Sequence, residues 1–289
     1  MITRRELLAC PGMALAAAAA TPEFQFVHLT DLHIQPELKA TENCVRCIET
    51  INEIPADFSI AGGDLVFDAN LVSRQRAGLL FDLYEKTTAR LKRPLRHVIG
   101  NHDLFGIGER GKAEPANLTG SKKSWETSFG KRYRSFDHKG WHFVLLDTID
   151  VLPDGGYRCF VDAEQMHWLE NDLKSMPKGA PLLVVTHAPL VTGFLQYSDL
   201  GHIAPHDALV VTNSKDVCDL LFQYNLKAVL QGHTHVCENV QFRGCQFITT
   251  GAVCGNWWKG PRFGSPEGFG VVKLRGDVVE YRYQAYAKA

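Results

Sequence analysis

An excess of charge of either sign is missing from this sequence. Lys and Arg number 31 against 32 Asp and Glu, a net charge of -1 over 289 residues. That removes the footprint of a chain that tracks a nucleic-acid backbone, and no acidic tail invites a basic partner. Internal repeats and low-complexity linkers are absent too, so residues 23–289 read as one domain. Past residue 20 no run is long and apolar enough to cross a bilayer, and no transmembrane anchor is expected. Zinc-site cysteine spacing is lacking as well. Cys44-x-x-Cys47 has no second pair, and its helical pattern with Val45, Ile48 and Ile51 fits small buried thiols. The other cysteines past residue 20 are Cys159, Cys218, Cys237, Cys245 and Cys254, an odd total of seven, so at least one stays unpaired within the chain. Cys237 and Cys245, flanking a predicted hairpin, are the candidate pair.

What is present is ordinary globular composition, 45% hydrophobic and 22% charged, with 12 histidines. Disordered, collagen-like and coiled-coil chains are excluded. Histidine is the side chain most used as a metal ligand and as a proton carrier near neutral pH, so its placement becomes the question. The first residues have a character of their own. Arg4-Arg5, with Thr3 before, Leu7-Leu8 after and an alanine run to Ala20, resembles a twin-arginine export signal, expected over residues 1–20. That resemblance implies a periplasmic or extracellular protein exported already folded. The other readings are a frayed alanine helix and a lipoprotein box at Cys10, the latter with too short a run before it.

Strand-like runs occur at Phe24–Leu29, Phe58–Ala61, Leu95–Ile99, His142–Leu146, Leu182–Thr186 and Ala228–Leu230. They are near-continuously apolar, the pattern of strands buried on both faces. Helical spacing occupies Thr41–Asn52, Ser73–Leu91, Ala163–Leu173 and Ser214–Tyr224. The end of the chain turns β-rich, with strands at Phe247–Thr249, Gly270–Leu274 and Val278–Tyr283. The class is α/β.

Most of the early strands end in a polar cluster: Asp31-Leu-His33, Gly63-Asp64, Gly100-Asn101-His102-Asp103, His187, and Gly232-His233-Thr-His235. In open α/β sheets, ligand sites gather at the carboxyl ends of strands. Pooled, Asp31, His33, Asp64, Asn101, His187, His233 and His235 offer two carboxylates, one amide and four imidazoles. Oxygen and nitrogen donors of this kind suit Mn, Fe, Zn, Co or Ni, and no cysteine joins the set. The donors outnumber the ligands of one tetrahedral ion and fit two ions that share a carboxylate. Two divalent ions against two carboxylates leave a positive pocket, which suits a phosphate group. If strand geometry persists, Asp31-x-His33 and His233-x-His235 each send both side chains to one side.

In this order the motifs resemble the calcineurin-like metallophosphoesterase family. Tyr133–Asp137 with His142–Asp147 is similar to that family's middle strands, and Gln165–Leu169 to its following helix. The likeness spans about residues 25–250. It implies a four-layer αββα sandwich of two mixed sheets flanked by helices. It implies Asp31, His33 and His235 on one metal ion, Asn101, His187 and His233 on the other, and Asp64 bridging them. His102, not a ligand, stands beside the phosphate as general acid or electrostatic stabiliser. Asp103 is expected to support the ligands from behind. The implied activity is hydrolysis of small-molecule phosphate esters, diesters foremost, by attack of a metal-bridging hydroxide. The alternatives are a phosphomonoesterase and a non-catalytic metal-binding module.

Three places after Asp64 stands Phe67, where purple acid phosphatases have a metal-binding Tyr and Ser/Thr protein phosphatases an Asp. Asp68 resembles the cyclic-nucleotide-phosphodiesterase-like branch. Gly106-x-Gly108-x-x-Gly111 has dinucleotide-fingerprint spacing but opens no helix, and is read as a flexible loop. Asn117-Leu-Thr119 is an incidental glycosylation sequon. Trp257-Trp258 either covers a sheet end or lines the rim of the site. His202 and His206 lie in a loop able to reach substrate.

Overall fold

The computed structural model describes residues 22–108, 115–198 and 206–286, with backbone alone for 115–119 and 206. The export-signal segment, Gly111 and His202 lie outside the described residues, as does the side chain of His206. In chain order the first half runs β1 (Phe24–Leu29), α1 (Ala40–Asn52), β2 (Ser59–Ala61), α2 (Arg74–Thr88), β3 (Leu95–His97), α3 (Pro115–Phe129), β4 (Arg134–His138) and β5 (Trp141–Leu145). A short ribbon, β6 (Ile149–Val151) and β7 (Tyr157–Cys159), leads to α4 (Ala163–Ser175), β8 (Leu182–Val185) and α5 (Phe194–Tyr197). Then follow α6 (Ser214–Leu221), β9 (Leu226–Gln231), β10 (Glu238–Phe242), β11 (Cys245–Thr249), β12 (Gly268–Arg275) and β13 (Val278–Ala285). Side-chain caps start two helices where the sequence supplies them. Ser73 Oγ accepts from Arg76 N at 3.1 Å, and Asp162 Oδ1 accepts from Gln165 N at 2.8 Å, each contributing about 1 kcal/mol.

Two mixed sheets form the middle of the molecule. One has the order β13-β12-β1-β2-β3, the other β10-β11-β9-β8-β5-β4. Strands β1, β2 and β3 are parallel, as are β5, β8, β9 and β11. Alternation along β5 shows the layering. Trp141, Phe143 and Leu145 join Phe26 and Ile60 of the facing sheet, whereas Val144 packs outward against Leu169 and Leu173 of α4. On the other side Val27 and Leu29 of β1 meet Cys44, Cys47 and Ile51 of α1 and Leu80 of α2. The result is the αββα sandwich, and Cys44 and Cys47 are indeed small buried thiols in it. Between the sheets Phe26 stacks on Phe58 at 5.0 Å and Phe143 meets both edge-on at 5.6 Å. Among the described residues no helix is long and apolar enough to cross a membrane.

The expected Cys237–Cys245 pair does not exist; both thiols are free. The hairpin is there, but in its register Cys245 faces Phe242 at the turn while Cys237 lies beyond Glu238, which faces Thr249. Several residues at about 3.3 Å each keep their Cα atoms far beyond the roughly 4.4–6.8 Å that a disulfide needs.

One histidine outside the site carries a pH prediction. His142 is buried, and its Nδ1 and Nε2 lie 2.7 Å from Asp137 and 3.0 Å from Asp172. Burial opposes its charge, but the Asp172 and Asp137 carboxylates outweigh it and raise the pKa above 6.5. A pKa raised in the folded state stabilises fully below the ordinary value and ceases to do so as pH rises through the folded one. Wild type should therefore lose stability to urea as pH climbs from 6.5. The His142→Gln variant should lack that part of the slope; an unchanged slope would show that the two aspartates do not act through His142.

Candidate metal centre

The carboxyl ends of β1, β2, β3, β8 and β9 meet at one edge of the sandwich, and the seven predicted ligands meet there with them. Asp31 and Asp64 are fully or almost fully buried, as are His33, His187 and His235. His33 Nε2 lies 3.1 Å from His235 Nε2, which is itself 3.3 Å from Asp31. His187 Nε2 is 3.2 Å from both Asn101 Oδ1 and His233 Nδ1. One atom joins these groups: Asp64 Oδ2 stands 3.4 Å from His33 Nε2 and 3.2 Å from His187 Nε2.

The backs of the four imidazoles settle which nitrogen faces inward. His33 Nδ1 points at Phe67 O (3.2 Å), His187 Nδ1 at Gly62 O (2.9 Å) and His235 Nδ1 at Gly255 O (2.8 Å). His233 is reversed, with Nε2 at 2.9 Å from Ala208 O. A carbonyl only accepts, so each outer nitrogen carries the proton. In the neutral rings the inner nitrogens are then bare lone pairs, aimed at one another and at carboxylates. That donor set repels itself unless a cation lies among it, and carbonyl-anchored imidazoles are the usual support of metal-bound histidine. Bonds of about 2.0–2.2 Å to an ion place neighbouring donors about 3.0–3.4 Å apart, as found here. The residues fit a metal.

Electrostatics without an ion agree. Burial drives His33 down to about 3 and His233 to about 4, so both stay neutral. Burial also opposes charge on His187, but Asp64 and then Asp31 overcome it and hold the ring up at about 9. Asp64 is pushed well down; burial opposes this, and His187 and His102 prevail. The anions are thus fully charged at neutral pH, compensated by protons that a metal would displace.

Strand geometry does not persist past the strand ends, contrary to expectation. Asp31 (φ 55°), His33 (φ 42°), Asp64 (φ 50°), His233 (φ 71°) and His235 (φ 61°) are all left-handed. Each i, i+2 pair reaches the cluster by tight turns of the backbone and not by the pleat. Such turns cost about 1–2 kcal/mol per non-glycine residue, a strain of the kind stored at functional sites. Gly63, at φ 98°, turns the chain where any Cβ would lie 2.5 Å from His187 Nδ1. At Gly100 an added Cβ would fall 2.2 Å from Asp64 Oδ1 and from Asp64 N. Gly100→Ala should accordingly displace Asp64 and lower metal content in elemental analysis, while circular dichroism stays native; full metal content would contradict this packing.

His102 lies beside the cluster, as expected for a non-ligand. Its ring is 5.0 Å from that of His33, and its Nδ1 is 3.7 Å from Asp68 Oδ1. Burial lowers its pKa, but Asp64 and Asp68 more than compensate and raise it. Asp103 works from behind: its carboxylate accepts from Leu65 N at 2.7 Å and Gly100 N at 2.9 Å, tying two ligand loops together. Phe67 touches His33 through its carbonyl, so its lack of a ligating side chain is no obstacle. Gly106 and Gly108 are bonded to Asn70 and Gly155 backbone, a packed turn and not a free one.

Three neighbours escaped the sequence reading. Tyr157 OH accepts from Asn101 Nδ2 at 3.1 Å and so turns the amide oxygen inward. Nothing in the sequence marks a tyrosine on the short β7 for that task. Cys254 Sγ lies 3.7 Å from His235 Nδ1, and Cys254, His33 and His235 are close enough to form a donor group. The thiol sits at the outer nitrogen of His235, away from the nitrogen that faces His33 and Asp31. Ala208 supplies only its carbonyl, which no residue type announces. The two tryptophans divide the roles proposed for them: Trp258 packs on the core, and Trp257 faces the site.

Residues 24–237 match the Metallophos family, described as calcineurin-like phosphoesterase. The chain belongs to that family, and it is a phosphoric ester hydrolase by class. It is 26% identical over 253 residues to bovine serine/threonine-protein phosphatase CPPED1, covering 86% of this chain and 74% of that one. To a cAMP/cGMP dual specificity phosphodiesterase from Mycobacterium tuberculosis it is 23% identical, covering 83% and 70%. A match to probable purple acid phosphatase 20 of Arabidopsis thaliana, at 26% identity, covers 71% of this chain and 45% of that longer protein. A dimetal phosphatase from Danio rerio shares the fold, with TM-score 0.61 at 15% identity, covering 91% of this chain and 99% of that one.

Proposed function

We propose that this protein hydrolyses small-molecule phosphodiesters with two bound metal ions. The observation that carries the reading is Asp64 Oδ2, which approaches both His33 and His187 and belongs to both donor groups. Asp31, His33 and His235 would hold one ion, Asn101, His187 and His233 the other, with Asp64 shared. Ions there, among Mn, Fe, Zn, Co and Ni, would supply Lewis acidity toward a phosphoryl oxygen and would lower the pKa of water toward about 7. The chain's own groups do the rest. His102, its pKa raised by the nearby Asp64 and Asp68 carboxylates, keeps a proton at the edge of the site for the departing ester oxygen. Thr30 Oγ1 and His233 N bind Asp31, and His102 N binds Asp64 Oδ1 at 2.9 Å, so both carboxylates are fixed in place.

A diester is favoured over a monoester by charge. Among the described residues the ion-pair partners of Asp31 and Asp64 are all histidines. Arg262, which feels the charge of Asp31, has Nε committed to Thr234 O at 2.9 Å. A singly charged diester asks for less positive charge than a doubly charged terminal phosphate. The test is metal analysis of purified protein followed by assay with Mn²⁺ on bis-p-nitrophenyl phosphate and p-nitrophenyl phosphate. Faster diester turnover is expected; faster monoester turnover selects the phosphatase, and bound metal with no turnover selects a non-catalytic module. Arg4-Arg5 supports export as a second proposal, which recovery of the protein only from cytoplasm would overturn.

A further inference from the structure

The segment after β11 holds two consecutive tryptophans in a conformation bulky residues avoid. Trp257 has φ 56° and Trp258 φ 66°, outliers that persist only where the surroundings impose them. The imposing contacts are visible. Trp258 Nε1 donates to His33 O at 2.9 Å, Trp258 N returns to Cys254 O at 2.8 Å, and Gly255 O receives His235 Nδ1 at 2.8 Å. The loop thereby grips two predicted ligands from behind.

What this strained turn achieves is the position of Trp257. Its ring centroid lies 4.0 Å from that of His33, 5.1 Å from His102 and 5.2 Å from His235. Phe67 meets it edge-on at 5.6 Å. Trp257 is only half-buried, so part of the indole stays open at the mouth of the site beside His102. Besides Phe67, the rings against it are the imidazoles of His33, His102 and His235.

We propose that Trp257 determines specificity: its indole is the wall on which the organic group of the ester lies, selecting esters of flat aromatic groups over small alkyl esters. The inference rests on the phosphoesterase reading above and deepens it. A flat ring placed there gains stacking against a π-face that is already rigid, whereas a methyl or ethyl group covers little of it.

The test compares wild type, Trp257→Ala and Trp257→Phe, each loaded with Mn²⁺ and checked for metal content. Calorimetry with phenylphosphonate and methylphosphonate isolates the ring, because the two carry the same anionic group. Wild type should prefer the phenyl compound about tenfold, the scale of ring stacking on an aromatic side chain. The preference should vanish in Trp257→Ala and return in Trp257→Phe. KM for bis-p-nitrophenyl phosphate should rise by a similar factor in the alanine variant, with kcat within about threefold. An equal loss for both phosphonates, or loss of metal from Trp257→Ala, would overturn the proposal and leave a structural brace for His33. Should wild type hydrolyse no phosphoester while the phenyl preference still follows residue 257, the phosphoesterase reading fails and the wall stands. Hydrolysis without any phenyl preference does the reverse, keeping the phosphoesterase and removing the wall.

Discussion

Asp64→Asn is expected to abolish detectable turnover and to reduce metal content at both halves of the cluster. The substitution keeps the shape and removes the charge. Among the described residues Asp64 Oδ2 lies within 3.4 Å of inner nitrogens from both donor groups. An amide there offers a single neutral oxygen, and its NH₂ would face rings that already present lone pairs. Losing an outer hydrogen-bond partner of a ligand costs about 10–100-fold in metal affinity or activity; losing the shared charge should cost more. The backbone is expected to hold, because Leu65 N is bonded to Asp103 and not to residue 64. Elemental analysis beside circular dichroism makes the distinction. A folded Asp64→Asn protein with full metal content and normal turnover would show that Asp64 does not join the two groups.

His102→Ala should give the opposite pattern, with metal retained and the rate down by about 10²–10⁴, the usual contribution of a proton-transfer group. The ring is 5.0 Å from His33, and its contact with the carboxylates runs through the backbone, where His102 N donates to Asp64 Oδ1. Alanine preserves that N–H. Asp68→Asn should produce a smaller loss in the same direction, since it removes only the anion 3.7 Å from His102 Nδ1. If the alanine variant lost metal, His102 would have to be counted among the ligands.

Legibility in the sequence differed by level. Strand β1 falls on its apolar run residue for residue, and α4 begins at Ala163, where the helical pattern places it. Buried parallel strands announce themselves by composition alone. Strand β7 did not, because three residues in a two-stranded ribbon form no apolar run and their pairing depends on a partner. At the site, residue type at the strand ends was sufficient to nominate the seven donors, since few side chains can coordinate, while His102 came from the resemblance to the calcineurin-like family. Orientation was not readable: the expectation of strand-like projection at Asp31 and His33 met left-handed turns instead.

Sequence alone therefore determined the α/β class, the donor chemistry and the seven candidate donors, each of which follows from local composition and spacing. Tertiary structure decided that Asp64 faces both donor groups, which nitrogen each imidazole turns inward, that Tyr157 aims the Asn101 amide, and that Trp257 lies against His33 and His102 while Trp258, also partly exposed, packs against the core. Those facts depend on carbonyls, dihedral angles and contacts between residues up to 225 positions apart, as for Trp258 and His33. No residue type encodes them, because a backbone carbonyl is the same group at every position and only folding selects the one that a given histidine meets.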